Sequence, residues 1–323
     1  MIRQITDEEV GATLTPELAI QSQRAAFSLP SEVPSRIILH QLVSDSTLFK
    51  PAAVSTPSGK THVGMKVVSV RPNNPPPLPT VPGTILMLDD VTGIVNAIIG
   101  ATLLTAIRTA AGSAVATTAL RGPSKVTETL AVFGAGMQGV QHARHLLHSY
   151  PSIKTVHIIN RTLPRAESAI AALKTEYPGP TYVPTLLNDE EKKNVAVSEC
   201  DVICLCTNSS VPLFPSGLLK PTAHINGVGS YTPTMQELDA VTVGSCEKIV
   251  LDSFEAKPVG DIAMAIEAGT LNEADLSHTL SSLLKEDPNV TPPDSGITFF
   301  KSVGVASQDI AAAGFLIEAL DSA

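Results

Sequence analysis

The chain has 323 residues, of which 43% are hydrophobic and 16% charged, and carries a net charge of −9. The length suits two domains, and the apolar content can offset the entropy of ordering the chain, which excludes bulk disorder. The acidic balance, with no clustered Lys/Arg run, excludes a nucleic-acid surface, because phosphate binding needs such a cluster.

In chain order, the N-terminal segment MIRQITDEEVGATLTPELAI has acids where a signal peptide is basic. No window approaches the about 18 apolar residues of a membrane span, so a cytoplasmic protein with no membrane partner is expected. Thr15–Ser28 reads as a helix with apolar Leu18, Ala19, Ala25, Ala26 and Phe27, stopped by Pro30 and Pro34. Arg36–Val43 is β-rich. The segment KTHVGMKVVSV, residues 60–70, is a strand with Val63, Met65, Val67 and Ser69 on one face and Lys66 on the other. RPNNPPPLPTVP, residues 71–82, lacks too many N–H donors for a helix or central strand and reads as a rigid extended loop.

Thr84–Asp90 and Ile94–Gly100 form a hairpin through Asp90-Val91-Thr92-Gly93, with Asp89-Asp90 as turn chemistry rather than a catalytic carboxylate pair. ATLLTAIRTAAGSAVATTAL, residues 101–120, is a small-residue helix whose lone charge is Arg108. Gly122-Pro123-Ser124 ends it and marks a boundary. A first, substrate-facing domain is expected before that boundary and a nucleotide domain after it.

From Thr127 the pattern becomes β-α-β: strand Thr127–Phe133, helix Gln138–Leu147, strand Thr155–Asn160, helix Pro164–Tyr177, then apolar strands Asp201–Thr207, His224–Gly229 and Ile249–Asp252. Strands alternating with helices at this spacing imply an α/β fold with a Rossmann-type, doubly wound parallel sheet. Gln308–Leu320 is an amphipathic helix.

A G-x-G-x-x-G pattern, Gly134-Ala135-Gly136-Met137-Gln138-Gly139, follows the strand TLAVF and opens a helix. In that context Gly134 permits the turn, Gly136 admits a pyrophosphate and Gly139 lets helix and strand pack closely. The helix N-terminus, at Met137 and Gln138, offers free N–H groups to the phosphates. At the end of the second strand stands Asn160, then Arg161 and Thr162, with Arg165 beyond. No acid repels a 2′-phosphate there and two arginines can pair one, so NADPH is expected over NADH.

His142, His145 and His148 recur three apart on the helix and read as a solvated face rather than a metal site. Cys200, Cys204, Cys206 and Cys246 read as reduced, buried thiols. No metal is expected.

Six segments, IRTAAGSAVAT, VFGAGMQGVQH, INRT, CDVICLCTNSS, AHINGVGSYTPTMQELD and FFKSVGVASQDIAAA, carry a resemblance across nearly the whole chain. It resembles the ornithine cyclodeaminase/mu-crystallin family. The resemblance implies an α+β substrate-binding and dimerisation domain over residues 1–122 and 300–323, a nucleotide domain over 123–299, and a homodimer in which the first domain, with the C-terminal helix returning to it, forms the dimer interface and covers the nicotinamide. By it, Arg36 and Arg108 match the arginines that hold a substrate carboxylate, and Lys66 matches the active-site lysine. Thr80, Thr207, Asn208, Val228, Tyr231 and Ser302 complete the expected cofactor-binding set.

Two departures narrow the activity. Tyr231 stands where the family's cyclodeaminases and alanine dehydrogenases have an aspartate; whether it offers a hydroxyl or fills the pocket stays open. Thr47-Leu48-Phe49-Lys50-Pro51 lacks the acid that precedes a Met-Pro pair in cyclodeaminases. What survives is a carboxylate clamp, a lysine and a reduced nicotinamide. The expectation is an NADPH-dependent ketimine reductase that takes a cyclic imine bearing a carboxylate, of Δ1-pyrroline-2-carboxylate or Δ1-piperideine-2-carboxylate type, to the cyclic amino acid. The alternatives are an amino-acid dehydrogenase or cyclodeaminase of the same family, and an NADPH-dependent small-ligand-binding protein of mu-crystallin type.

Overall fold

The computed structural model describes residues 2–42, 45–71, 73–122, 125–286 and 295–322. Val43, Pro72, Pro123 and Ser124, which entered the expectations above, lie outside them. The elements in chain order are β1 (Arg3–Ile5), α1 (Asp7–Thr13), α2 (Pro16–Ser28), β2 (Ser31–Glu32), β3 (Ile37–Leu42), β4 (Asp45–Ser55), β5 (Thr61–Val70), β6 (Gly83–Leu88), β7 (Val95–Gly100) and α3 (Thr102–Arg121). Then come β8 (Thr129–Phe133), α4 (Met137–Ser149), β9 (Thr155–Asn160), α5 (Leu163–Glu176), β10 (Thr181–Leu186), α6 (Glu190–Glu199), β11 (Val202–Leu205) and β12 (His224–Gly227). The chain continues with α7 (Ala240–Gly244), β13 (Lys248–Leu251), α8 (Gly260–Glu267), α9 (Leu280–Glu286), β14 (Thr298–Lys301) and α10 (Ala306–Ser322).

The chain divides into two compact units, Met1–Gly112 with Gly304–Ala323, and Ser113–Val303. The first holds a sheet in the order β1-β7-β6-β5-β4-β2, with β3 also paired to β4. All its pairs are antiparallel except β1 with β7. Ile85, Met87, Ala97 and Ile99 of the sheet pack with Leu104, Ile107, Ile310, Ala313 and Leu316 of the helices into one buried cluster. Alternation along β5 puts Gly64, Lys66 and Val68 on the buried side. Lys66 therefore lies on the core face, opposite Val63, Met65 and Val67.

The second unit holds an all-parallel sheet in the order β10-β9-β8-β11-β12-β14-β13. The first five positions follow the dinucleotide-binding order, in which chain order reverses between β8 and β11 and a ligand crevice opens at their carboxyl ends. β10 and β14 did not stand out in the sequence. β10 carries Pro184, which is tolerated because this strand is an edge; β14 is only four residues long.

The units divide inside α3, between Gly112 and Ser113, and again between Val303 and Gly304, whereas the Gly122-Pro123-Ser124 punctuation suggested a boundary after Gly122 and the family resemblance one before Phe300. The last turns of α3 belong with the parallel sheet: Asn226 donates to Thr117 Oγ1 at 2.9 Å and Arg121 to the Thr222 carbonyl at 2.9 Å. α3 corrects one premise above, that no window approaches a membrane span. Its length and hydropathy are those of a membrane-crossing helix, yet 78% of its most apolar window is buried inside the protein, as for a core helix.

The histidine expectation fails at two of three positions. His148 is exposed, but His142 and His145 are buried. His142 lies 2.9 Å from Ser113 Oγ and 2.8 Å from the Gln138 carbonyl. Among the described residues no group of three His, Cys, Asp or Glu could hold a metal. Burial pushes His142 down to about 4, and His145 and His224 to about 3. The unfolded chain thus binds protons that the fold refuses. Stability is complete above the unfolded value near pH 6.5 and drains as pH falls toward those depressed values. Each group is expected to cost about 2 kcal/mol between about pH 6.5 and pH 5. Denaturant unfolding across that range checks this, and a pH-independent midpoint would contradict it.

Candidate active site

The nucleotide edge is built by three glycines with three different tasks. Gly134 has φ of 99°, and a Cβ there would lie 2.6 Å from the Cys206 carbonyl. At Gly139 a Cβ would sit 1.8 Å from the Gly134 carbonyl oxygen, so α4 and the turn touch backbone to backbone. Around Gly136 nothing stands within 4 Å of an added Cβ. Gly136 caps α4 without a side-chain bond. The amides of Met137, Gln138 and Gly139 are left at an open helix N-terminus, which is the donor set a pyrophosphate needs. The residues fit a dinucleotide.

Asn160 ends β9 and ties this turn together: its Oδ1 accepts the Ala135 N–H at 3.3 Å and its Nδ2 donates to the Thr162 carbonyl at 3.0 Å. The side chain is engaged in shaping the loop. Arg161 and Arg165 are exposed. Arg165 lines a cleft of about 450 Å³ with Ala135, Gly136, Met137 and Ser168.

At the carboxyl ends of β11 and β12 a buried carboxylate that sequence reasoning missed holds two loops at once. Glu237 Oε1 accepts the Thr207 N–H and Oγ1–H, both at 2.7 Å, and its Oε2 accepts the Gly229 N–H at 2.9 Å and the Ser230 N–H at 3.1 Å. Asp261 accepts the Glu237 N–H at 2.6 Å, and Lys301 Nζ donates to the Ser230 carbonyl at 2.6 Å and lies 3.3 Å from Asp261. Ser230 Oγ bonds both Lys301 and Asp261. Burial pushes the Glu237 carboxyl up to about 7, against the pull of Lys301 and the Thr207 donors. This network sets the loops carrying Thr207, Asn208, Val228 and Tyr231, the last 40% exposed. The sequence signal was Lys301 at the end of the apolar run ITFFK, a charge where composition expects none.

In the first unit three cations converge on one carboxylate. Asp309 Oδ1 accepts Arg108 Nε at 2.8 Å and Lys66 Nζ at 3.0 Å, and Oδ2 lies 3.9 Å from Lys50 Nζ. Gln308 Oε1 accepts Arg108 Nη1 at 3.1 Å, and Lys50 donates to the Gly304 carbonyl at 2.9 Å. Arg108 is only 4% exposed and Lys66 1%. Burial pushes the Lys66 ammonium down to about 7; Arg108 and Lys50 act in the same sense and Asp309 opposes them. Those three cations hold the Asp309 carboxyl below the usual range in spite of its burial. A lysine titrating near neutrality beside a guanidinium can release a proton and attract an anion.

The structure therefore joins Lys66 and Arg108 through Asp309 and adds Lys50 and Gln308; the sequence assigned no role to Asp309, Lys50 or Gln308. Arg36 is half-buried, one residue before the Ile37–Phe49 pair of β3 and β4. Thr80 is an exposed residue of the first unit whose carbonyl accepts the Arg71 N–H. Ser302 is buried and gives its hydroxyl to Asp252 at 2.8 Å, so that side chain is used internally.

A sequence profile of the ornithine cyclodeaminase/mu-crystallin family matches residues 9–323. A Δ(1)-pyrroline-2-carboxylate reductase of Bacillus cereus is 34% identical over 269 residues, covering 82% of this chain and 79% of that protein. The ketimine reductase mu-crystallin of Macropus fuliginosus is 32% identical, covering 84% and 77%. Among solved structures, a dimeric archaeal alanine dehydrogenase with bound NAD superposes with a TM-score of 0.87 at 26% identity, covering 99% of this chain and 96% of that one.

Proposed function

The chain belongs to the ornithine cyclodeaminase/mu-crystallin family, and on that premise we propose that it reduces a cyclic imine carrying a carboxylate, with NADPH as preferred reductant. It is an oxidoreductase acting on C=N bonds with a nicotinamide cofactor. What carries the finer reading is the placement of Lys66, buried and ion-paired to Asp309 beside Arg108, where burial pushes its ammonium down to about 7. Arg108 attracts the substrate carboxylate and orients the C=N bond. A bound reduced nicotinamide supplies the hydride for the imine carbon. Lys66, directly or through water, gives one proton to the nitrogen, so that C=N becomes CH–NH. Tyr231, in the place of the family aspartate, has no carboxylate to take a proton from an amine or water, which disfavours deamination.

NADPH preference is supported by the exposed Arg161 and Arg165 and by the absence of an acid at the end of β9. Homodimerisation is supported by the dimeric alanine dehydrogenase and by exposed Ile37, Ile38 and Leu39 on β3. The test is the initial rate of NADPH and NADH oxidation with Δ1-pyrroline-2-carboxylate and Δ1-piperideine-2-carboxylate. Arg161→Asp is expected to weaken NADPH binding about tenfold or more and to spare NADH. Equal loss of both cofactors would count against that assignment, and tight NADPH binding without turnover of either imine would favour a ligand-binding protein.

A further inference from the structure

We infer that Asp309 is a positioning residue, fixing Lys66 and Arg108 in one geometry, and that Lys50 acts on Lys66 as an electrostatic counterweight to that carboxylate. The inference rests on the imine-reductase reading, in which Lys66 donates the proton.

Asp309 lies fully buried in the first turn of α10, where the helix N-terminus favours an anion. A single oxygen, Oδ1, takes Lys66 from β5 and Arg108 from α3. Gln308 holds the second edge of the guanidinium and also accepts the Val305 N–H at 3.0 Å. Gly304 passes so close that a Cβ would sit 2.8 Å from Arg108 Nη2. Both rotatable cations are thus held by a rigid helix start. Buried ion clusters roughly break even against apolar side chains of the same volume, so four charges on a core face point to function before stability.

Lys50 is the direct register partner of Lys66 on β4. Side chains so placed share a sheet face about 5 Å apart, and like charges there repel. The charged groups with the largest influence on Lys66 are Asp309 from α10, Arg108 from α3 and Lys50 from β4. The anion favours the ammonium form and the two cations disfavour it.

The test is the pH profile of kcat for imine reduction in the wild type, Asp309→Asn and Lys50→Met. The wild-type rate should fall as pH rises through about 7, where Lys66 loses its proton. Asp309→Asn should move that limb down by about one to three units, and Lys50→Met should move it up by about one. Asp309→Glu should restore the limb while kcat stays reduced, because charge returns and geometry does not; this variant decides if Asp309→Asn fails to fold. A structural role alone would lower kcat at every pH with the limb unmoved, and that outcome overturns the inference. If the wild type reduces no imine, the reductase reading falls and the same proteins are titrated with pyrrole-2-carboxylate by calorimetry. Binding whose pH dependence shifts in opposite directions in the Asn and Met variants then supports the inference, and superimposable curves overturn it.

Discussion

Lys66→Met is expected to lower kcat for imine reduction by about 10²- to 10⁴-fold, the usual worth of a positioned proton donor. KM should change little, because Arg108 remains to attract the carboxylate. The substitution is well suited to isolating chemistry from folding. Lys66 is 1% exposed, and methionine fills most of its volume without a charge. Asp309 is not orphaned, because Arg108 Nε still donates to Oδ1 at 2.8 Å. Cofactor titration and thermal unfolding should therefore resemble the wild type. A variant that retains wild-type kcat, with the same pH profile, would mean that the proton comes from elsewhere and would remove Lys66 from the mechanism.

Gly229→Ala is expected to destabilise the protein by about 3 kcal/mol or more and to abolish measurable nicotinamide binding. A Cβ at that position would stand 2.0 Å from the Thr207 carbonyl oxygen and 2.5 Å from both Glu237 carboxylate oxygens. Neither neighbour is the loose end of a flexible chain. Thr207 belongs to the loop after β11, and Glu237 is held by four hydrogen bonds from Thr207, Gly229 and Ser230. Making room would separate the two loops and leave a buried carboxylate with unmet acceptors. Unfolding measurements with and without NADPH check both halves. A variant of wild-type stability and affinity would show that the Glu237 network does not govern the loops.

Much of the second unit could be read from residues alone. The strand TLAVF, three glycines at fixed offsets and the helix behind them are local features, and local sterics fix what such a turn must do. The doubly wound sheet followed from strands alternating with helices. The small-residue helix was also visible in the residues, while the chain's return after FFKSVG was implied by the family resemblance. The edge strand β10 and the short β14 were not, because a proline at an edge and a four-residue strand give too little periodicity to register.

The sequence by itself determined the family, the position of the glycine turn and the type of residue at Lys66 and Arg108, since each is carried by neighbours within a few positions. Only the tertiary structure decided what those two residues touch. Asp309 lies 243 positions from Lys66 and 201 from Arg108, and a contact at such separation leaves no periodic trace in the chain. The same holds for Lys50, which becomes a neighbour of Lys66 through antiparallel register, and for Glu237, whose role exists only where two loop ends meet. His142 and His145 show the limit in the other direction. Their spacing suggested a wet face, and packing buried them, because neutral imidazole bonded to a neighbouring carbonyl is a tolerable core residue.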